Sequence, residues 1–299
     1  MKRTTRNIAL GLLLSSQLST AQPKIPEKIE DKKKDLVENF EIKNNSADII
    51  MDTLLSNNKN KILYFIEKPT KAYFLPGKEE LFDLPSWIYL RENQIDKSSS
   101  TEEFLCYKIK ESKVWIPKSS LSNNNKNLIN KYLKPNTEKS IIVDKANRKL
   151  LVYNQYWKNL LKEFTIALSP FENWDKTIEW DGNTPEGKYY ICFKNPASSF
   201  WIDPKTWKRL WSLQISYPNT QDAIEWLISW EITIKQYEWI KNNSEQKKIP
   251  NQGTSLGNYI MIHWGWNDED WTLWCMWLND EDMFRLNNNI SKGTDIFIW

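Results

Sequence analysis

The sequence predicts a mainly β protein with short helices at its periphery, and three observations lead to this prediction. Short apolar runs recur at close spacing between residues 59 and 122, which is typical of a small all-β barrel. Two apolar runs flank residues 145–148 and predict a hairpin, and further apolar runs follow it to the end of the chain. Helical patterns in the second half of the chain fall in three short stretches, residues 221–229, 234–241 and 280–287, and one further helical piece is expected near residues 35–40 or 47–55.

The expected strands fall into two groups. Those of the first group lie at residues 62–66, 71–75, 86–90, 104–109 and 114–117. Those of the second group lie at residues 140–144, 149–153, 164–168, 188–193, 213–216, 258–263 and 295–298. The end of the first group, residues 114–121, resembles the last strand of bacterial SH3-like domains. We therefore predict a small SH3-like β barrel at residues 59–122 and a larger β domain at residues 139–299.

The N-terminus has the pattern of a secretory signal. Lys2, Arg3 and Arg6 precede a short apolar core at residues 8–14, and residues 19–21 suit cleavage after Ala21. The apolar core is far shorter than the roughly 20 residues that a membrane span needs. We expect residues 1–21 to be a signal peptide and the mature protein to be exported to the periplasm or cell wall. Polar linkers are expected at residues 22–58 and 123–138.

Net charge gives no indication of a nucleic-acid partner. The 299-residue chain has a formal net charge of +3. Residues 1–21 carry three positive and no negative charges, so their removal takes the net charge from +3 to 0. A protein without a basic bias is a poor candidate for nucleic-acid binding. We expect a monomer.

The cysteine and histidine counts limit the chemistry. Three cysteines in an exported protein leave at least one thiol free, and we favour Cys275 as that thiol. Cys106 and Cys192 could pair, although the sequence does not show it. The chain has one histidine and no C-x-x-C motif, so we expect no metal site. No feature of the sequence indicates a cofactor.

The single histidine, His263, and Cys275 lie close together in residues 257–278. His263 ends an apolar run that predicts a strand, and a polar loop separates it from Cys275, so the chain can turn back. A neutral imidazole within hydrogen-bond reach can take the thiol proton and so activate the sulfur as a nucleophile. The alternative is that His263 is a structural histidine and Cys275 a buried apolar residue.

At these residues the chain resembles the L,D-transpeptidase catalytic domains of the YkuD type. Their pattern of I-H-G, a variable loop and then Ser/Thr-x-Gly-Cys stands here as Ile262-His263-Trp264 and Thr272-Leu273-Trp274-Cys275. Upstream, residues 181–189 read D-G-N-T-P-E-G-K-Y and are similar to the family's G-D-x-x-T-P-E-G-x-Y. Residues 216–219 and 254–257 also have counterparts in one branch of the family. The resemblance covers about residues 139–299.

The resemblance implies a cysteine acyltransferase that acts on peptidoglycan stem peptides. Cys275 would form a thioester with the donor peptide, and His263 would be its base. Backbone N–H groups of Trp274 and Cys275 would bind the oxyanion. Thr272 would orient the loop or bond the substrate, with a purely turn-stabilising role as the alternative. A carbonyl near Trp264 or Gly265 would orient His263.

The resemblance also marks Tyr217 and Asn219 as candidate substrate contacts. Three functions stay open at this point. The acceptor of the acyl group could be an amine, giving crosslinks, or water, giving an L,D-carboxypeptidase or endopeptidase. The protein could also be an inactive peptidoglycan-binding protein. The SH3-like segment could bind the wall or serve only as a spacer.

Several tryptophans stand where the family pattern has glycine, namely Trp174, Trp180, Trp226, Trp230, Trp264 and Trp274. The chain has 17 Trp and only 8 Gly, about 2.7% Gly against an ordinary usage of about 7%. One hypothesis is that the source organism reads as glycine a codon, such as UGA, that is translated here as tryptophan. The alternative is a truly tryptophan-rich surface that binds the cell wall.

Overall fold

A computed structural model describes residues 62–123, 134–154, 159–171, 175–196, 211–250, 252–265 and 267–299. These residues all belong to one compact unit, Glu41–Trp299. The expected signal peptide at residues 1–21, the linker at 22–58 and most of the linker at 123–138 lie outside the described residues. Within the described ranges, no helix is long and apolar enough to cross a membrane.

Residues 62–123, the first described range, form seven strands in two sheets, in the region where the sequence predicts a small β barrel. The strands are β1 (Ile62–Ile66), β2 (Thr70–Leu75), β3 (Lys78–Leu84), β4 (Tyr89–Arg91), β5 (Phe104–Ile109), β6 (Ser112–Pro117) and β7 (Leu121–Asn123). One sheet has the order β4-β1-β7 and the other the order β3-β2-β6-β5. Strand β3 was not expected, because its charged sequence, K-E-E-L-F-D-L, hides the apolar positions. The resemblance of this two-sheet region to SH3-like domains stays a prediction.

The second part of the chain forms one eight-stranded sheet. Its strands are β8 (Lys139–Asp144), β9 (Lys149–Asn154), β10 (Asn159–Thr165), β11 (Gly187–Asn195), β12 (Ser212–Ile215), β13 (Met261–Trp264), β14 (Met276–Leu278) and β15 (Asp295–Ile298). Their order is β10-β9-β8-β15-β11-β12-β13-β14. The predicted β8–β9 hairpin is present, with Asp144 opposite Lys149. The strand expected at 164–168 instead ends at Thr165, and Ala167 forms only an isolated bridge with Trp277.

Three helices flank this sheet, close to where the sequence predicts them. They are α1 (Thr220–Ile228), α2 (Ile234–Glu245) and α3 (Asp280–Asn289). Each helix is preceded by an N-cap residue whose side chain accepts a hydrogen bond from a backbone N–H of the first turn. These residues are Asn219, Thr233 and Asn279 respectively. Such a cap satisfies one of the N–H groups that the helix leaves unpaired.

The apolar faces of the strands and helices merge into one hydrophobic core. Buried residues of the small β domain, such as Ile66 and Leu90, belong to the same cluster as Ile224 of α1 and Ile262 of β13. Strands with period-two alternation bury one face, and the central strands β8 and β12 are buried on both. This continuous core fixes the edge of the large sheet on which β13 and β14 lie.

Candidate active site

The parallel strands β13 and β14 bring the single histidine and Cys275 to one region. In their register, Ile262 lies opposite Met276 and His263 lies opposite Trp277. Cys275 immediately precedes β14 and lies two residues from Trp277, so their side chains share one face of the sheet. His263 is on that same face, because it pairs with Trp277. The sequence prediction that the loop turns back is therefore correct.

The imidazole of His263 is held in one tautomer by a backbone carbonyl. Its Nδ1 lies 3.2 Å from the oxygen of Trp264. A carbonyl oxygen can only accept, so Nδ1 carries the proton and Nε2 keeps its lone pair. The ring is 4% exposed, and burial lowers its pKa to about 4. At neutral pH His263 is thus a neutral imidazole whose Nε2 can accept a proton.

The thiol of Cys275 is also buried. It is 8% exposed, and burial raises its pKa to about 12. The Met261 amide and the Lys176 ammonium act in the opposite direction on this pKa but do not cancel the effect of burial. The sulfur lies 3.8 Å from the carbonyl oxygen of Tyr259. A thiol in this environment stays protonated at neutral pH and needs a base to become a nucleophile.

Two threonines hold the backbone around Cys275. The hydroxyl of Thr272 donates to the carbonyl of Cys275 at 2.7 Å. The hydroxyl of Thr184 donates to the carbonyl of Trp274 at 3.0 Å. Each hydrogen bond therefore fixes the orientation of one backbone carbonyl at or next to Cys275. Thr272 was a candidate from the sequence, whereas the role of Thr184 was missed although its T-P-E-G segment was recognised.

Thr184 belongs to a loop that buried charges hold in place. The ammonium of Lys145 donates to the carbonyl of Thr184 at 2.8 Å and to the carboxylate of Glu186 at 3.1 Å. The amide of Glu186 in turn donates to Asp175 at 2.8 Å. Lys145 and Glu186 are both buried. A rigid loop of this kind can position the segment that carries Cys275.

Indole rings cover the histidine and the thiol. The ring of Trp277 lies 4.2 Å from that of His263 and 3.7 Å from that of Trp271, measured between centroids. Trp274, next to Cys275, contacts Trp180 edge-to-face at 5.0 Å. The ammonium of Lys176 lies over the Trp274 ring, at 5.2 Å from its centroid. Trp271, Trp274 and Trp277 belong to the same apolar cluster as Cys275.

The remaining candidate site residues from the sequence, Tyr217, Asn219 and Gly265, form hydrogen bonds within the fold. Tyr217 is fully buried and donates its hydroxyl to the carbonyl of Leu256 at 2.9 Å. Asn219 caps α1 through the amide of Asp222 and donates to the carbonyl of Lys188. Both side chains are thus occupied within the fold. Gly265 follows β13 and donates its amide to Leu278 at 2.8 Å.

None of the three cysteines forms a disulfide. Cys106, Cys192 and Cys275 are all free thiols, so the pairing of Cys106 with Cys192 that the sequence left open is not formed. Across the described ranges, no group of three or more His, Cys, Asp or Glu side chains could hold a metal ion.

Comparison with solved structures gives several similar chains. Pgp2, the helical cell shape determining protein from Campylobacter jejuni, has 18% identity, with 55% of this chain and 48% of that chain covered and a TM-score of 0.36. Bd1075 from Bdellovibrio bacteriovorus has 20% identity, coverage of 56% and 51%, and a TM-score of 0.36. An L,D-transpeptidase from Mycobacterium smegmatis has 10% identity, coverage of 70% and 83%, and a TM-score of 0.31. The chain spans about half the length of the first two structures.

Comparison with protein families gives one match, and no curated protein sequence matches the chain. The model of the YkuD L,D-transpeptidase catalytic domain matches residues 138–298, which is more than half of the chain. The matched region begins just before β8 and ends with β15, so it contains the whole eight-stranded sheet. It also contains the paired strands β13 and β14. His263 lies in β13, and Cys275 immediately precedes β14. The chain therefore belongs to the family of YkuD L,D-transpeptidase catalytic domains.

Proposed function

We propose that this protein is an exported cysteine acyltransferase that crosslinks peptidoglycan by L,D-transpeptidation. The observation that carries the proposal is the shared sheet face of His263 and Cys275, where Nδ1 of His263 lies 3.2 Å from the carbonyl oxygen of Trp264. The signal-like residues 1–21 support export, since the substrate lies outside the cytoplasmic membrane.

The first half of the reaction would form a thioester. His263 Nε2 takes the proton from the Cys275 sulfur, and the thiolate attacks the carbonyl carbon of the amide between an L-centred residue and a terminal D-amino acid. The carbonyl oxygen becomes an oxyanion, which the N–H groups of Trp274 and Cys275 stabilise. As the C–N bond breaks, His263 gives its proton to the leaving amine.

The second half would transfer the acyl group. An amine of a neighbouring stem peptide attacks the thioester carbonyl, and His263 Nε2 takes the proton that this amine loses. The carbon–sulfur bond then breaks, and the sulfur recovers a proton from His263. The thioester keeps the acyl group activated, so crosslinking needs no ATP outside the cell. Water in place of the amine would give an L,D-carboxypeptidase or endopeptidase.

One observation favours a second candidate, an inactive protein that binds peptidoglycan. Cys275 and His263 are both nearly fully buried beneath indole rings, and burial raises the pKa of the thiol to about 12. Exposed aromatic rings can stack on sugars, as such a binding protein would require. Labelling of the Cys275 thiol at neutral pH separates the two functions, because an enzyme needs a thiol that reagents can reach.

Product analysis tests the proposed function. The purified protein is incubated with soluble muropeptides, and the products are identified by mass spectrometry. Crosslinked dimers with loss of a terminal D-amino acid are the expected result, and shortened monomers would instead indicate hydrolysis. Unchanged muropeptides, together with retention on isolated sacculi, would favour the binding protein.

A further inference from the structure

Three tryptophans have a backbone conformation that favours glycine. Trp87, Trp180 and Trp230 have φ values of 71°, 70° and 63°. In the described part of the chain, eight non-glycine residues have a positive φ, and these three have the largest values of the eight. Left-handed φ is found in only a few per cent of non-glycine residues, and for a bulky residue it is an outlier. Glycine takes this conformation without steric cost.

Trp230 lies at the helix position at which glycine is most common. It follows the last residues of α1, and its N–H donates to the carbonyl of Leu227 at 3.1 Å, while the N–H of Glu231 donates to that of Trp226 at 2.9 Å. This pair of hydrogen bonds is the Schellman motif, with Trp230 at the left-handed position after the cap. The Trp230 side chain is 65% exposed, so no burial in the core offsets the strain.

Trp180 lies in a loop whose shape is set by its neighbour. The carboxylate of Asp181 accepts hydrogen bonds from the amides of Thr177, Ile178 and Asn183, at 2.6, 3.0 and 2.9 Å. It also pairs with the buried ammonium of Lys176 at 2.8 Å. The loop is thus fixed by Asp181 whatever residue stands at position 180. The Trp180 side chain is 70% exposed, so it contributes little to the core.

An independent observation concerns Trp277, which lies in the site itself. The ring lies so close to Gly265 that a Cβ there would be 1.7 Å from Cε3 of Trp277. Its centroid is 3.7 Å from that of Trp271, in an edge-to-face pair, whereas aromatic pairs prefer about 4.5–7 Å. The ring is therefore close to both Gly265 and Trp271, and its centroid lies 4.2 Å from that of the His263 imidazole.

We propose that the natural protein has glycine where this sequence reads Trp87, Trp180, Trp230 and Trp277, and also at Trp274, which stands where the family pattern has the glycine before the cysteine. The space that the indoles of Trp274 and Trp277 fill is then the cleft through which a stem peptide reaches Cys275. The assignment of the cleft rests on the proposed function, whereas the glycine assignment at positions 87, 180 and 230 rests on backbone geometry alone.

Other tryptophans differ from these five. Trp115 has a defined structural role, because its indole N–H donates to the carbonyl of Ser99 at 3.1 Å. Trp226 and Trp264 also stand where the family pattern has glycine, but both are buried in the main hydrophobic core and neither has a positive φ, so the assignment does not include them. Trp174 lies outside the described residues. The inference therefore predicts two classes of tryptophan in one chain, with Trp115 as the matched control.

Codon usage and native mass test the proposal first. We expect UGA at the five positions and UGG at Trp115 in the gene, and peptides of the protein from its source organism should contain glycine at the five positions and tryptophan at 115. UGG at all six positions, or native peptides with tryptophan at the five, would overturn the proposal.

A variant with W87G, W180G, W230G, W274G and W277G tests it in the purified protein. Relief of three strained positions should raise Tm by roughly 10 °C relative to the chain with all its tryptophans. Alkylation of Cys275 should be roughly tenfold faster or more, since the reagent no longer depends on local opening of the indole cover. W115G, the control, should lower Tm and leave alkylation unchanged. A five-site variant that is less stable than the unsubstituted chain would count against the inference.

These readouts are separate from the proposed reaction. If the five-site variant is more stable and its thiol more reactive, but it makes no acyl-enzyme and no crosslinked product, the glycine assignment stands and the transpeptidase function fails. If the variant makes product while the unsubstituted chain does not, both stand.

Discussion

The guanidinium of Arg91 lies 2.7 Å from the carboxylate of Asp175 and joins the small β domain to the loop beside the active site. Arg91 ends β4, and it also pairs with Glu225 of α1 at 2.9 Å. The other oxygen of Asp175 accepts the amide of Glu186 at 2.8 Å. Thr184, two residues before Glu186, donates its hydroxyl to the carbonyl of Trp274. These contacts therefore link Arg91 to the residue that precedes Cys275.

Replacement of Arg91 by methionine should destabilise the protein by about 3–5 kcal/mol, because Asp175 and Glu225 would lose their buried cation. Urea unfolding measures this change. The control is Lys71→Met, which removes an exposed ion pair with Asp83 and should leave stability nearly unchanged. Equal effects of the two substitutions would show that Arg91 does not couple the small domain to the catalytic domain.

Replacement of Cys275 by alanine should abolish product formation while binding to sacculi is retained. The reason is that the proposed thioester needs the sulfur of this residue. The matched control is Cys192→Ala, since Cys192 is also a buried free thiol whose pKa burial raises to about 12, but it lies in β11. Turnover above background in the Cys275 variant, or equal loss in both variants, would exclude Cys275 as the nucleophile.

Replacement of His263 by glutamine should slow alkylation of Cys275 and raise the pH at which the thiol reacts, because the proton acceptor is lost. The pH profile of alkylation in the two proteins gives the measurement. An unchanged profile would mean that His263 is not the base of Cys275.

His263 should also make stability depend on pH. Burial lowers its pKa from 6.5 to about 4, so between these values the unfolded chain binds a proton that the folded chain does not. Stability should therefore fall as the pH falls through this window, by about 3 kcal/mol at most. His263→Gln should flatten this part of the curve, and an identical slope in both proteins would contradict the buried neutral imidazole.

Replacement of Thr184 by valine should lower kcat and cost about 1–3 kcal/mol of stability, because the carbonyl of Trp274 would lose its buried donor. Thr165→Val is the control, since Thr165 is exposed in β10. Steady-state kinetics should show a fall in kcat with little change in KM. A loss of stability without a change in kcat would limit Thr184 to a structural role.

The sequence predicted local features well and long-range contacts poorly. Alternating apolar runs predicted the β8–β9 hairpin and the strand that carries His263, because these patterns are local. The contacts of Arg91 could not be predicted, since its partner Glu225 is 134 residues away. The same holds for Thr184, whose partner is 90 residues away. The carbonyl that orients His263 was expected near Trp264 or Gly265, and the contact is to Trp264.

The acyl-enzyme is the species that tests the proposed mechanism most directly. The protein from its source organism, or the five-site glycine variant, is mixed with a tetrapeptide stem, quenched in acid and digested for peptide mass spectrometry. We predict a thioester on the peptide that contains Cys275, which disappears when an acceptor amine is added and is not formed by Cys275→Ala. If crosslinked product accumulates while no thioester forms on Cys275, or if the adduct lies on another residue, the proposed mechanism is wrong.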